Sequence, residues 1–175
     1  MKATVRVAGG QGFWGDLLTA PVDQVRKGPI DYLMLDYLAE VTMSILQKQR
    51  SRNPEAGYAR DFIELMREIL PDCVEKNIKV LSNAGGVNVE GCAAAIRDVA
   101  CDLGLQGKVN IGVVTGDDIL DRLDDFLSQG VEINSMDDGT PLAAIRAQVQ
   151  SANVYLGAGP LVEALDKGAN VIVGG

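Results

Sequence analysis

A glycine-dense turn, Gly9-Gly10-Gln11-Gly12-Phe13-Trp14-Gly15-Asp16, follows the β-like run Thr4–Ala8, and two carboxylates, Asp36 and Glu40, follow the next such run. Glycines let backbone N–H groups approach a ligand closely, and carboxylates orient or activate it. Amides at Gly10–Gly12 and at Gly85-Gly86 could form an oxyanion cradle, and Asp36 or Glu40 could supply the acid/base, given enough burial. Asn83 and Asn88 are placed to orient a substrate, and Phe13, Trp14 and Asp118 complete the candidate set. Glu40 interrupts the apolar helix start Leu38-Ala39-Glu40-Val41-Thr42-Met43, so it is either solvated on the outer face or turned into the site. Trp14, the lone tryptophan, is either a lid on a ligand or a core anchor.

The elements that must position these residues alternate strand and helix. Thr4–Ala8, Tyr32–Leu35, Ile78–Leu81, Val109–Val114 and Val171–Val173 read as strands, with Tyr155-Leu156 a short extra strand or extended segment. Their nearly continuous apolar character suits strands covered on both faces. Asn53-Pro54 reads as a helix start, with Ala59, Phe62, Ile63, Met66, Ile69 and Leu70 as its buried stripe. Asn88 opens a helix that turns Cys92, Ile96, Val99 and Leu103 inward and stops at Gly104; Asp117 caps one carrying Leu120, Leu123 and Leu127, which Gly130 ends. Pro141–Val149 and Leu161–Leu165 read as further helices, with a loop at 134–139. The alternation predicts a single α/β domain over residues 1–175, built on a doubly wound, mostly parallel sheet with helices on both faces.

Ligands of open parallel sheets bind beyond the carboxyl ends of the strands. Every strand here exits into Gly, Asn, Asp or Thr: the first glycine turn, Asp36 and Tyr37, Ser82–Asn88, Thr115–Asp118, and Gly174-Gly175. Turn chemistry accounts for some of this at any one loop, but five together favour a site at that edge. Gly10 to Gly15 also satisfies G-x-G-x-x-G after a strand, and Asp36 follows Gly15 by 21 positions, the spacing of a dinucleotide fingerprint. Phe13 and Trp14 are bulky where a pyrophosphate must enter, and Pro21 interrupts the helix that should follow.

Composition narrows the chemistry further. The 175 residues are 47% hydrophobic and 23% charged, with a net charge of −8. That acidity, without a Lys/Arg block, argues against nucleic acid and anionic membranes as partners. No apolar run approaches the ~18 residues of a membrane span, and a signal-peptide core is missing, so the sequence reads as soluble and cytoplasmic. There is no histidine, which removes Ser-His-Asp and Cys-His catalysis and His-ligated zinc or iron from this chain. A metal, if bound, would be a hard divalent cation such as Mg²⁺ or Ca²⁺ on oxygen ligands, with Asp36, Asp117 and Asp118 as candidates. Cys73, Cys92 and Cys101 are odd in number and lack C-x-x-C spacing, so burial rather than a disulfide or zinc role is expected for all three.

Taken together, Gly9-Gly10-x-Gly12-Phe13-Trp14-Gly15-Asp16, Asp31-Tyr32-Leu33, Asp36-Tyr37-Leu38-Ala39-Glu40-Val41-Thr42-Met43 and Asn83-Ala84-Gly85-Gly86-Val87-Asn88 resemble the N-terminal domain of the acyclic terpene utilisation (AtuA) family. Gly116-Asp117-Asp118 and 152–158 continue the likeness, which covers essentially the whole chain. The resemblance implies bacterial catabolism of branched acids or terpenoids through acyl-CoA intermediates. It also implies that the chain is part of a longer or split protein, and places G-x-G-x-x-G within a longer signature. The leading expectation is an enzyme acting on a branched carboxylate or acyl-CoA thioester by lyase or hydro-lyase chemistry. Its rivals are a non-catalytic subunit completed by a partner chain and a Rossmann-type NAD-dependent oxidoreductase. A sheet cut at a central strand would leave apolar surface to cover, so a homo-oligomer or a second subunit is expected.

Overall fold

The computed structural model describes residues 4–175, whose contacts fall into two compact units. The first runs to Thr115 and resumes at Gly157–Gly175, and the second is Gly116–Leu156.

The first unit is α/β, built on five parallel strands: β1 (Val7–Gln11), β2 (Tyr32–Leu35), β3 (Lys79–Ser82), β4 (Ile111–Val113) and β5 (Val171–Val173), in the order β1-β2-β3-β5-β4. Strands β1 to β3 advance in one direction, joined through α1 (Thr19–Lys27), then α2 (Glu40–Arg52) and α3 (Arg60–Lys76). From β3 the chain passes through α4 (Val89–Asp102) to the edge strand β4, then returns through α7 (Gly159–Asp166) to insert β5. Right-handed crossovers put a helix on opposite faces when the direction of travel reverses, which makes the sheet doubly wound.

Burial follows that topology. Ala8, Leu33, Leu35, Val80, Val171 and Val173 join Val25 of α1, Phe62, Met66 and Ile69 of α3 and Ile96 of α4 in one core. The alternate side chains Leu81 and Ile172 form a second cluster with Ala169, against Leu161, Ala164 and Leu165 around α7. Gly112 permits this closeness: a Cβ there would sit 3.0 Å from the Cβ atoms of both Ala164 and Ala169. The same face is bare over β1 and β2, where Val7 is 61% and Met34 38% exposed. Covering on both faces therefore holds for β5, whose three residues are all buried, and not for the first two strands.

Several boundaries differ from expectation. The first strand begins at Val7 rather than Thr4 and takes in Gly9, Gly10 and Gln11, because the glycine backbone at Gly10 packs flush against Leu33, Leu35 and Pro21. Pro21 lies in the first turn of α1, where its missing N–H is not needed, so it does not interrupt the helix. Asn53 ends α2 and does not start α3: its Oδ1 accepts from Glu55 N, and Gly57 at φ +109° breaks the chain before Arg60. The expected stripe of α3 is nonetheless buried at Ala59, Phe62, Met66, Ile69 and Leu70. Asn88 does cap α4, its side chain accepting from Gly91 N at 3.1 Å. Cys73 and Cys92 are buried as expected, but Cys101 is exposed.

In the second unit a 3₁₀ turn (Leu120–Arg122) leads into α5 (Leu123–Ser128), and α6 (Leu142–Ile145) leads into a second 3₁₀ turn. Arg146 ties the two together with bonds of 2.8 and 2.9 Å to the Asp124 carboxylate. Tyr155-Leu156 forms no strand; an isolated antiparallel bridge pairs Asp118 with Asn153 instead. No helix among the described residues is long and apolar enough to cross a membrane.

Candidate functional site

Strand β1 delivers Gln11 to the carboxyl edge of the sheet, and the register with β2 shifts there, so that Asp36 N bonds Gln11 O at 3.0 Å. Beyond it the Asp16 carboxylate folds back over the turn, accepting from Gly12 N at 3.1 Å and Leu17 N at 2.7 Å. Gly15 at φ +95° makes that reversal. The turn presents Phe13 to solvent, 61% exposed, while half-buried Trp14 packs on the core and donates from Nε1 to Asp61 Oδ1 at 2.9 Å. Trp14 is thus an anchor of the turn. The helix that should cradle a pyrophosphate begins only at Thr19, and the Gly12 amide is already occupied by Asp16. The structural context of the dinucleotide fingerprint is not met.

The second strand exit is held by Asn83. Its Oδ1 accepts from Tyr37 N at 2.7 Å, and its Nδ2 donates to Asp36 Oδ1 at 2.8 Å. Asp36 is exposed and oriented by this clamp, with Leu38 N also donating to Oδ1 at 3.3 Å. Glu40 is likewise exposed, as the first residue of α2, where a negative side chain complements the helix dipole. Of the two readings open for Glu40, solvation is the one the fold adopts; neither carboxylate is buried.

The third exit, Ser82–Asn88, is joinery. Gly85 N donates to Gly174 O at 3.0 Å, and Gly86 N to Asn83 O at 3.2 Å. A Cβ at Gly85 would lie 2.6 Å from Gly174 O, and one at Gly86 2.5 Å from Leu46 Cδ1. These glycines let β3, β5 and α2 approach, and their amides have acceptors within the fold, as Gly12 has. Asn88 is spent in the same way, capping α4 and donating to Ala56 O at 3.0 Å. Ser82 donates from Oγ to Leu35 O at 3.0 Å and accepts from Ala84 N at 3.1 Å.

Asp118 belongs to the other unit, where its Oδ1 accepts from Leu120 N at 3.1 Å. Asp117, expected as the helix cap, is bonded instead by Asn153 Nδ2 at 2.9 Å. Among the described residues no group of three or more His, Cys, Asp or Glu side chains could hold a metal ion.

The first unit therefore brings together Gly10, Gly12, Phe13, Trp14, Asp36 and Asn83, and adds Gln11, Tyr37 and Asp61, which the sequence reading did not single out as site residues. Gln11 is 5% and Tyr37 1% exposed. Both amide atoms of Gln11 and the Tyr37 hydroxyl are buried without a hydrogen-bond partner among the described residues. Tyr37 stacks edge-on against Phe62 with centroids 5.7 Å apart. Burial drives its pKa far above the usual range, Asp61 and Cys92 push the same way, and the nearby Gln11 side chain opposes them. The phenol stays an O–H donor. The sequence signal for Gln11 is its place as the one side chain with polar groups within Gly9-Gly10-Gln11-Gly12.

A groove of about 790 Å³ lies elsewhere in the first unit, along the free edge of β4 and flanked by Arg97, Glu163 and Lys167.

A family model described as acyclic terpene utilisation family protein AtuA matches residues 5–175. No curated protein and no solved structure matches the chain.

Proposed function

The chain belongs to the acyclic terpene utilisation (AtuA) family, and on that premise we propose that it is a cytoplasmic catabolic enzyme, or the larger part of one. Its substrate is a branched carboxylate or acyl-CoA thioester, and its chemistry that of a lyase or hydro-lyase. The observation that supports this most is the Asp36–Asn83 clamp at the carboxyl edge of the sheet, which holds a solvent-reachable carboxylate in one orientation through a 2.8 Å bond. An acid/base for adding or removing water across a carbon–carbon double bond must be positioned in this way. Glu40, four residues on and exposed, is the second carboxylate. The test is hydration of 3-methylcrotonyl-CoA by the purified protein and by Asp36→Asn. Turnover that falls roughly 10²- to 10⁴-fold in the variant supports Asp36 as acid/base. Equal turnover removes it, and a parallel Glu40→Gln series decides the other carboxylate.

The bare face over β1 and β2, with Val7 61% exposed, favours a second reading: a subunit that a further copy of this chain covers. Light scattering across a concentration series tests it, with a dimer expected and a monomer at every concentration opposing it.

A further inference from the structure

Three polar atoms in this fold are buried without a partner among the described residues, and all belong to two side chains at one place: Gln11 Nε2 and Oε1, and Tyr37 Oη. The Gln11 side chain is near enough to act on the Tyr37 hydroxyl, yet no well-formed hydrogen bond joins them, and buried polar groups left in this state are uncommon. Elsewhere at this edge Asn83, Ser82, Asn88 and the amides of Gly12, Gly85, Gly86 and Gly174 are all engaged. The orphans are therefore localised and not a sign of loose packing.

We infer that Gln11 and Tyr37 form a hydrogen-bonding station for an uncharged carbonyl-bearing ligand, beside the Phe13-Trp14 turn that Asp61 holds. The Gln11 amide offers one donor and one acceptor, and the Tyr37 hydroxyl a second donor. A carbonyl oxygen accepts from Nε2 and Oη together, and a neighbouring hydroxyl donates to Oε1. The charge around the station selects for neutrality. Asp61 acts on the Tyr37 hydroxyl, Cys92 beside it is a buried thiol, and among the described residues no salt bridge to Asp61 is formed. A free carboxylate would add a second negative charge beside Asp61 in a poorly solvated place, whereas a thioester would not. Asp61 also holds Trp14 Nε1 at 2.9 Å, so the same carboxylate that tunes the station tethers the turn above α3.

The choice of an acyl thioester as ligand rests on the catabolic reading; the station itself does not. The test uses the lone tryptophan as reporter, titrating the protein with isovaleryl-CoA, the small thioester isovaleryl-N-acetylcysteamine, isovalerate and CoA. A saturable change in Trp14 emission is expected with both thioesters, at least tenfold weaker with isovalerate and absent with CoA. Gln11→Met and Tyr37→Phe should each weaken thioester binding at least tenfold while leaving the unfolding midpoint of the free protein unchanged or higher. A midpoint lowered by several degrees in either variant would mean that these groups are partnered in the fold, by ordered water for instance, and overturns the inference. So does wild-type affinity in both variants, or no binding of either thioester, even if Asp36-dependent hydration is found. Binding without turnover leaves the station standing and removes only the enzyme reading.

Discussion

Gly10 and Gly12 occupy equivalent-looking places in one glycine motif, and the fold uses them in opposite ways. A Cβ at Gly10 would lie 2.8 Å from Leu35 Cδ2 and 2.9 Å from both Leu33 Cδ1 and Pro21 Cβ. Carbon atoms rest at about 3.5–4.0 Å, so three contacts are short by roughly 0.6 Å or more. Leu33 and Leu35 are 0% and 2% exposed and the proline ring is rigid, so none can yield without disturbing the core. Overpacking of this kind costs about 1–3 kcal/mol, and the stiffer unfolded chain of an alanine variant returns about 0.4–1 kcal/mol. Gly10→Ala should thus lose about 1–2 kcal/mol net, a fall in unfolding midpoint of roughly 2–8 °C for a chain of this size. A Cβ at Gly12 meets only Asp16 Oδ2 at 3.8 Å, and its φ is not in the left-handed region. Gly12→Ala should change stability by less than about 0.5 kcal/mol, or raise it slightly. Urea unfolding of the two variants beside the parent, followed by Trp14 emission and by circular dichroism, measures the difference. If Gly12→Ala is the more damaging, or Gly10→Ala is neutral, the assignment of Gly10 to packing is wrong.

Other perturbations probe the remaining joints of the edge. Asn83→Ala strips the Tyr37 N–H of its acceptor and frees Asp36; a loss of about 1–3 kcal/mol in urea unfolding is expected, and a neutral result would mean the clamp is not formed in solution. Gly85→Ala drives a Cβ to 2.6 Å from the backbone oxygen of Gly174, which cannot rotate away, so it should cost at least as much as Gly10→Ala; a stable variant would refute the close approach of β3 and β5. One thiol per native chain, that of exposed Cys101, should react with a thiol reagent at pH 8 and three in guanidinium, because burial pushes Cys73 and Cys92 up to about 12. Their folded values lie above the ordinary 9.0, so the stability from keeping them neutral is complete below about pH 9 and is lost as pH rises toward 12. Each thiol then lowers the stability by about 1.4 kcal/mol per pH unit within that window, a slope that Cys92→Ala should make shallower.

The strand–helix alternation, the parallel sheet and the buried stripes of α3 and α4 were legible in the sequence because each rests on local chemistry. Apolar period, a capping Asn88 and a stopping Gly104 act over one or two turns of chain. Asn53-Pro54 misled for the same reason. Its residues suit a helix start, but Gly57 at φ +109° and the packing of Val87 over it set the boundary from outside the segment. The family signature was also legible, since it depends on residue identities alone.

What only the tertiary structure decided is which polar groups remain to be used. In sequence, Gly12, Gly85, Gly86, Asn83 and Asn88 all looked equally available, yet their donors and acceptors are consumed by partners up to about ninety residues away, such as Gly174 for Gly85. Asp117 and Asp118 are adjacent in sequence and differ in role because Asn153 reaches one of them and not the other. Gln11 and Tyr37, drawn together across β1 and β2, are left over from that pairing. Composition and spacing determine which groups a chain carries to an edge. Long-range hydrogen bonding determines which of them are still unsatisfied there, and unsatisfied groups are the ones that can hold a ligand.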